Sequence, residues 1–334
     1  MLSIIIPNFN KASYIQNTLQ SVVTQDFVDW EAIVVDDGSK DSSKEIIENF
    51  AVSDKRIRFI QRTREPKGGA VCRNIGIEVA QGEYLMFFDS DDIMISECLQ
   101  QRIEYMEKNP ELDFAVFPVG TFYKTIGDNS TIWRPKKSKH LESFLNHNLP
   151  WHTMSPIWKT SFIRGRLNGF DEAFPRLQDV EFHTRVLLIQ DVRYSIVRNV
   201  KPCCFYRIDE ERNNNSYLQR LQILQRGVEL YINRIGLLVR NYSLKKYLRG
   251  TLFSFFTRIN YFKVQRKITV DDYTEIVNRM YEFMLQSDIF TRKSKEIIVL
   301  YNRLYLFGGW KIKGFNFICK NLFIFSYNLR FLKS

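Results

Sequence analysis

Three aspartates, Asp89, Asp91 and Asp92, fall in one four-residue run, DSDD, directly after the apolar segment Tyr84–Phe88. Carboxylates within ~4–6 Å of one another oppose each other's ionisation, and a divalent cation removes that conflict. All-oxygen ligands favour Mg2+ or Mn2+ over Zn2+, and a few protein ligands with open positions suit a metal shared with a diphosphate. As plain structure, the same run would be a solvated acidic turn or a helix cap. A second acidic run, Asp36-Asp37-Gly38-Ser39, follows the apolar segment Ala32–Val35. A carboxylate there can accept the N–H of a uracil or guanine imide, which adenine lacks, or it can close an Asx-type turn. Phe9, at the end of LSIIIPN, offers a base a stacking face or packs in a core. Gly68-Gly69 heads a helical stretch and can bring backbone N–H groups near an anion. Arg73, one turn later, can meet a phosphate, an aspartate or a structural partner.

These residues need a scaffold, and the pattern around them predicts one. Residues 2–6, 32–35, 57–60 and 84–88 are short apolar runs read as strands. Between them lie helical spacings: Ile15, Leu19 and Val22; Ile46, Ile47 and Phe50 behind a Ser42/Glu45 capping box; Val71, Ile75 and Val79. Apolar strands alternating with helices indicate a mainly parallel sheet covered on both faces. In such sheets the ligand crevice lies beyond the carboxyl ends of the strands, which here are Pro7–Asn10, Asp36–Ser39 and Asp89–Asp92. From Phe114 the pattern is irregular, with Trp133, Trp151 and Trp158, and residues 179–190 read as a helix.

Composition narrows the function classes. The 334 residues are 45% hydrophobic and 25% charged, values of an ordinary globular chain rather than a disordered one. No run approaches 18 uncharged apolar residues, so a transmembrane helix is not expected. The start MLSIIIPNFN lacks the basic flank and the length of a signal peptide. Five cysteines without metal-ligand spacing fit a reducing cytosol and argue against a disulfide scaffold. Neither GxxxxGK[ST] nor GxGxxG follows the first strand, which removes support for P-loop and dinucleotide-binding readings.

The net charge of +11 is uneven. Residues 1–212 carry 27 Lys+Arg against 30 Asp+Glu, whereas 213–334 carry 21 against 7, and no acidic residue follows Glu296. This predicts two modules, 1–212 and 213–334, with a seam in the polar run Asp209–Ser216. The second module has apolar positions at helical spacing from Leu221 to Met284 and is expected to be helical. Residues 310–333 hold five positive side chains, none acidic, and many aromatics. An interfacial helix on an anionic membrane is one expectation there; packing on the catalytic module or in a homodimer is the other.

SIIIPNFN, VVDDGSKDSS and GGAVCRNIGIEVAQGEYLMFFDSDD, in this order and spacing, resemble the family-2 glycosyltransferases of the GT-A fold, and FPRLQDVEFHTR resembles their acidic helix motif. The likeness covers about residues 1–210. It implies an α/β GT-A nucleotide-diphospho-sugar transferase fold with a helical C-terminal extension. It implies that Pro7, Phe9 and Asp37 surround the uracil of a UDP-sugar, with Asp36 in support. By the same resemblance Asp91 lies near ribose and sugar, Asp92 binds Mn2+ or Mg2+, Asp89 supports either site, and Arg73 lies near the donor sugar. Asp179 falls where the family keeps its catalytic base. Gln178 stands where the commoner motif has Glu, and Glu181 is a fallback base.

The reaction this implies is an inverting transfer. The metal neutralises the leaving diphosphate while Asp179 takes the proton of an attacking acceptor hydroxyl. The acceptor is expected to be a glycan or lipid-linked hydroxyl in surface polysaccharide assembly, with Trp151, His152 and Trp158 as candidate acceptor-site residues. A cytoplasmic protein held at the inner membrane face through residues 297–334 fits this setting. Two alternatives differ in class. A nucleotidyltransferase needs a glycine-rich basic loop, which PNFNKASY does not supply. A nucleic-acid-binding module is opposed by the mildly acidic N-terminal half.

Overall fold

The computed structural model describes residues 1–208 and 216–326. Two compact units divide the chain: Met1–Ser138, Pro150–Ala173 and Ile189–Arg212 form the first, and Lys139–Leu149, Phe174–Leu188 and Asn213–Ser334 the second. The units therefore differ from the contiguous halves 1–212 and 213–334, because the second takes in two excursions of the N-terminal half. The reason is apolar burial. Phe144 and Leu145 in one excursion, and Val180, Phe182 and Val186 in the other, are buried side chains that a helical unit can cover. Apart from Ser216, the expected seam Asp209–Ser216 lies outside the described residues.

In the first unit, seven strands form one sheet: β1 (Leu2–Asn8), β2 (Trp30–Asp36), β3 (Ile57–Gln61), β4 (Tyr84–Phe87), β6 (Phe114–Val116), β9 (Pro156–Lys159) and β10 (Tyr194–Ile196). Their order is β10-β6-β9-β4-β1-β2-β3, parallel except for β9. A smaller sheet has the order β5-β11-β7-β8, from β5 (Ile93–Met94), β7 (Val119–Phe122), β8 (Ile132–Trp133) and β11 (Cys204–Arg207). The helices α1 (Ala12–Val23), α2 (Ser43–Ser53), α3 (Gly69–Val79) and α4 (Cys98–Lys108) connect strands. Ile4 and Ile6 pack with Leu19, Val22 and Ile103 in one core, and Ile33 and Val35 pack with Val71 and Ile75 in another. Burial on both sides is why β1 and β2 read as unbroken apolar runs. A methyl on Gly76 of α3 would lie 2.4 Å from Ile5 Cγ2, so this helix approaches β1 only because the position has no side chain. The Ser42 capping box is absent: its side chain makes no cap bond, and Asp41 instead accepts from Ser43 N at 3.0 Å and Ala12 N at 3.0 Å.

Cys98, Cys203 and Cys204 are buried together with all three sulfurs within 4.8 Å, a cluster their sequence spacing concealed. The fully buried Arg102 donates to Cys204 Sγ at 3.3 Å and to the Met154 and Ser155 carbonyls. Hydrogen bonds from Cys204 and Cys98, and then the Arg102 charge, hold the Cys203 thiol well below its ordinary range.

The second unit is helical: α5 (His140–Leu145), α6 (Gln178–Leu188), α7 (Tyr217–Leu238), α8 (Arg249–Val264), α9 (Val270–Gln286), α10 (Arg292–Leu306) and α11 (Phe315–Phe325). Capping boxes at Ser216, Thr269 and Thr291 start α7, α9 and α10. Leu221, Val228, Ile232 and Ile235 of α7 and Leu252, Phe255, Phe256 and Ile259 of α8 are buried, matching the helical spacing. Residues 310–333 do not form one helix: α11 starts after Gly314, whose φ is +84°, and residues 327–334 lie outside the described part.

Candidate active site

The carboxyl ends of β1, β2 and β4 are adjacent because Asn8 pairs with Asp36 and Ile5 with Phe87. The acidic turn after β2 is shaped from within. Asp36 accepts from Gly38 N at 3.0 Å, Ser39 N at 2.8 Å, Ser39 Oγ at 2.5 Å and Asn8 Nδ2 at 2.8 Å. Gly38, with φ +85°, supplies the left-handed residue the turn requires. Asp36 is thus the turn's organiser, its oxygens spent on the loop. Asp37 pairs with Arg62, which is itself nearly buried. Phe9 is 48% exposed beside this turn's strand, so its face is open to a flat ligand.

After β4, the three aspartates occupy different environments. Asp89 is the most accessible and accepts from Arg73 Nη2 at 2.7 Å. Arg73 is buried against Phe170, 5.4 Å from its ring, and its Nε and Nη1 have no hydrogen-bond partner. Asp91 Oδ2 receives Lys11 Nζ at 2.7 Å. Asp92 is fully buried; its Oδ1 accepts from Arg207 N at 2.9 Å and its carbonyl from Thr18 Oγ1. Arg207 also donates from Nε to Asp91 O and lies over the Tyr14 and Phe122 rings. Through Oδ1, Asp92 therefore fastens the turn to β11.

The donor set suits a hard cation with few protein ligands. Among the described residues the aspartate oxygens do not converge into a group of three metal-ligating atoms, unlike the cysteine sulfurs. A cation there would be held by one or two carboxylates, its remaining positions open to phosphate oxygens. Lys11, Arg62 and Arg207 were not singled out from the sequence. Lys11, three residues past the strand end, carried the one signal that was there to be used.

In the second unit, Asp179 is the second residue of α6 and is half-buried. Its carbonyl meets His183 Nδ1 at 2.8 Å, and His183 stacks on Phe144 at 5.2 Å. Glu181 is 2% exposed and in an ion pair with Arg185, one turn on. That pairing removes it as a fallback base. Two acceptor-site expectations are also corrected. Trp151 and Trp158 are at most 1% exposed, packed about Phe114 in the first unit's core. Aromatic residues spaced this way serve a core as well as a cleft, and burial chose the core. His152 is half-buried between Trp133 and Tyr206.

Residues 3–168 match the model of glycosyl transferase family 2. These residues are a family 2 glycosyl transferase domain. TuaG of Bacillus subtilis, a putative teichuronic acid biosynthesis glycosyltransferase, is 39% identical over 106 residues, which are 32% of this chain and 42% of TuaG. The chain spans less than half the length of the relatives it matches at that identity. WfgD of Escherichia coli, named as a UDP-Glc:alpha-D-GlcNAc-diphosphoundecaprenol beta-1,3-glucosyltransferase, is 28% identical over 66% of this chain and 83% of its own. Among solved structures, residues 1–349 of S. aureus TarS in complex with UDP-GlcNAc share the fold, with a TM-score of 0.65, 20% identity, and 91% of this chain and 88% of that one covered. The family 2 domain ends at residue 168, so Asp179 and α6 lie beyond the matched stretch. Among the described residues, no helix is long and apolar enough to cross a membrane.

Proposed function

We propose that the chain is an inverting glycosyltransferase that moves a sugar from a UDP-sugar to a hydroxyl of a glycan or lipid-linked acceptor. The observation that carries this reading is the gathering of Phe9, Asp37, Arg73, Asp89 and Asp91 at adjacent strand ends. Phe9 offers the uracil its exposed face, and Asp37 accepts the imide N–H while Arg62 holds it in place. The two unpartnered nitrogens of Arg73 are donors for the donor's sugar or phosphate oxygens. A divalent cation, Mn2+ or Mg2+, held by Asp91 and Asp89 would neutralise the leaving diphosphate. Asp92, the ligand expected from the resemblance, would join them through the oxygen that the Arg207 N–H does not take. Asp179 takes the acceptor hydroxyl's proton as that oxygen bonds to the anomeric carbon and the bond to the diphosphate breaks. The printed names of TuaG and WfgD support a surface-polysaccharide setting.

The seam at 212/213 is proposed as a module boundary, after which every element among the described residues is a helix. Residues 297–334 would hold the enzyme to an anionic membrane from the cytoplasmic side, supported by exposed Phe317, Ile318 and Leu322 and by exposed Lys311 and Lys313 in the same segment. Flotation on phosphatidylglycerol vesicles tests this: full-length protein should float, and protein ending at 296 should not. Failure of the full chain to float, or a stable dimer in its place, refutes it.

The test of the reaction is a thermal-shift panel of UDP, GDP, TDP, CMP and ATP, each with Mn2+, Mg2+ or EDTA. Stabilisation by UDP that requires metal is the expected result. No nucleotide response would refute the donor site.

A further inference from the structure

The second unit contains a cavity of about 70 Å3 lined by His147, Leu224, Val228, Thr251, Ser254, Phe255 and Arg258. At roughly 10–15 Å3 per water on this measure, it has room for about five waters, the scale of one phosphate group. Its wall is built by spacing: Thr251, Ser254, Phe255 and Arg258 share one face of α8, and Leu224 and Val228 share one face of α7. His147 follows α5 in a left-handed conformation, φ +49°.

The polar equipment is cationic. His147 Nδ1 is sealed from solvent and has no hydrogen-bond partner among the described residues. No hydrogen bond or ion pair of Arg258 occurs among the described residues. Thr251 and Ser254 spend their hydroxyl protons on the Leu145 and Gly250 carbonyls. Lys320 Nζ anchors the neighbouring Asn146 carbonyl at 2.9 Å and lies 3.4 Å from Ser254 Oγ. Arg258 is exposed overall, while the protein packed about it, and then the charge of Arg176, lower its pKa. Burial pushes His147 down to about 4, helped by Lys320, Arg258 and Arg176 and opposed by Asp179. Lys320, Arg258 and Arg176 thus act on the His147 ring with one sign of charge, and Asp179, the proposed base, with the other. Positive charge gathered this way in a partly desolvated place is costly until an anion joins it.

We propose that this cavity is an anion subsite that takes a phosphate group of the acceptor substrate. The proposal rests on the transferase reading for the word acceptor; anion binding itself does not. Arg258 and the Nδ1–H of a neutral His147 would donate to phosphate oxygens, and the apolar side chains Leu224, Val228 and Phe255 would flank an attached chain or sugar. A phosphate held here would meet His147, whose ring also feels the charge of Asp179.

The experiment uses the full chain in EDTA, so that no metal draws the ligand to the aspartates. Sodium pyrophosphate and geranyl diphosphate are titrated by calorimetry against wild type, Arg258→Gln and His147→Asn. Both probes should bind wild type, and Arg258→Gln should weaken each at least tenfold. Tighter geranyl diphosphate assigns the subsite to a lipid-linked acceptor, and equal affinities assign it to the phosphate alone. No binding to wild type, or equal binding to Arg258→Gln, overturns the proposal. UDP with Mn2+ is titrated on the same proteins; its loss in wild type would refute the donor reading and leave the anion result standing.

Discussion

Lys11→Met isolates the charge that would compete with the proposed metal for Asp91. In the structure Lys11 Nζ touches Asp91 Oδ2 at 2.7 Å, with side-chain exposures of 19% and 7%. At that separation an effective dielectric of ~20 gives a Coulomb attraction of about 6 kcal/mol. Desolvation of the two groups consumes most of it, and hydrogen bonds to charged groups net about 1.5–3 kcal/mol. A cation that takes Asp91 must break this contact or bind against its charge. Removing the ammonium while keeping the stem should therefore favour metal by about 2 kcal/mol, close to a thirtyfold lower Kd at 1.4 kcal/mol per decade. The assay is Mn2+ titration by water-proton relaxation, with Lys40→Met as an exposed-lysine control. The same substitution leaves a buried carboxylate without its cation, so urea denaturation in EDTA should show lower stability. Unchanged or weaker Mn2+ binding in Lys11→Met would refute both the competition and Asp91 as a ligand.

Asp179→Asn should abolish sugar transfer and keep UDP-sugar binding by calorimetry; normal turnover would sink the base assignment. Trp158→Ala should cost about 3–5 kcal/mol of stability in urea, as large buried aromatics do. A stable variant with only an altered acceptor KM would return this residue to the cleft. His147 is held neutral to about pH 4 in the fold but takes a proton near its usual value of about 6.5 when unfolded. The unfolded chain thus binds the extra proton between these values. Stability should fall as pH drops through that window, by up to about 3 kcal/mol. Urea melts at pH 7 and 4.5 in phosphate-free buffer, compared with His147→Asn, check this; an identical acid loss in the variant would refute it.

The parallel sheet was legible because β1, β2 and β4 are apolar throughout and end in polar turns, a pattern that needs no knowledge of distant residues. The different partners of Asp89, Asp91 and Asp92 were not legible. Three aspartates in four residues look alike until Arg207, more than a hundred positions away, claims one of them. The same holds for Trp158, whose burial is decided by Phe114 and Phe162, and for the three cysteines. The resemblance located the acidic turns and α6. It could not show that Glu181 is tied to Arg185, or that a cationic cavity is built from the helical half.

The second unit's two excursions have a consequence for synthesis. Asp179 sits on a helix whose Thr184 bonds Tyr231 at 2.7 Å, and the turn carrying His147 is tethered through Asn146 to Lys320. A ribosome delivers these partners long after the sheet of the first unit is complete. The nascent chain can hold the strands of the proposed nucleotide site in place while the proposed base still lacks its support, so donor binding and turnover would become available at different moments of its making.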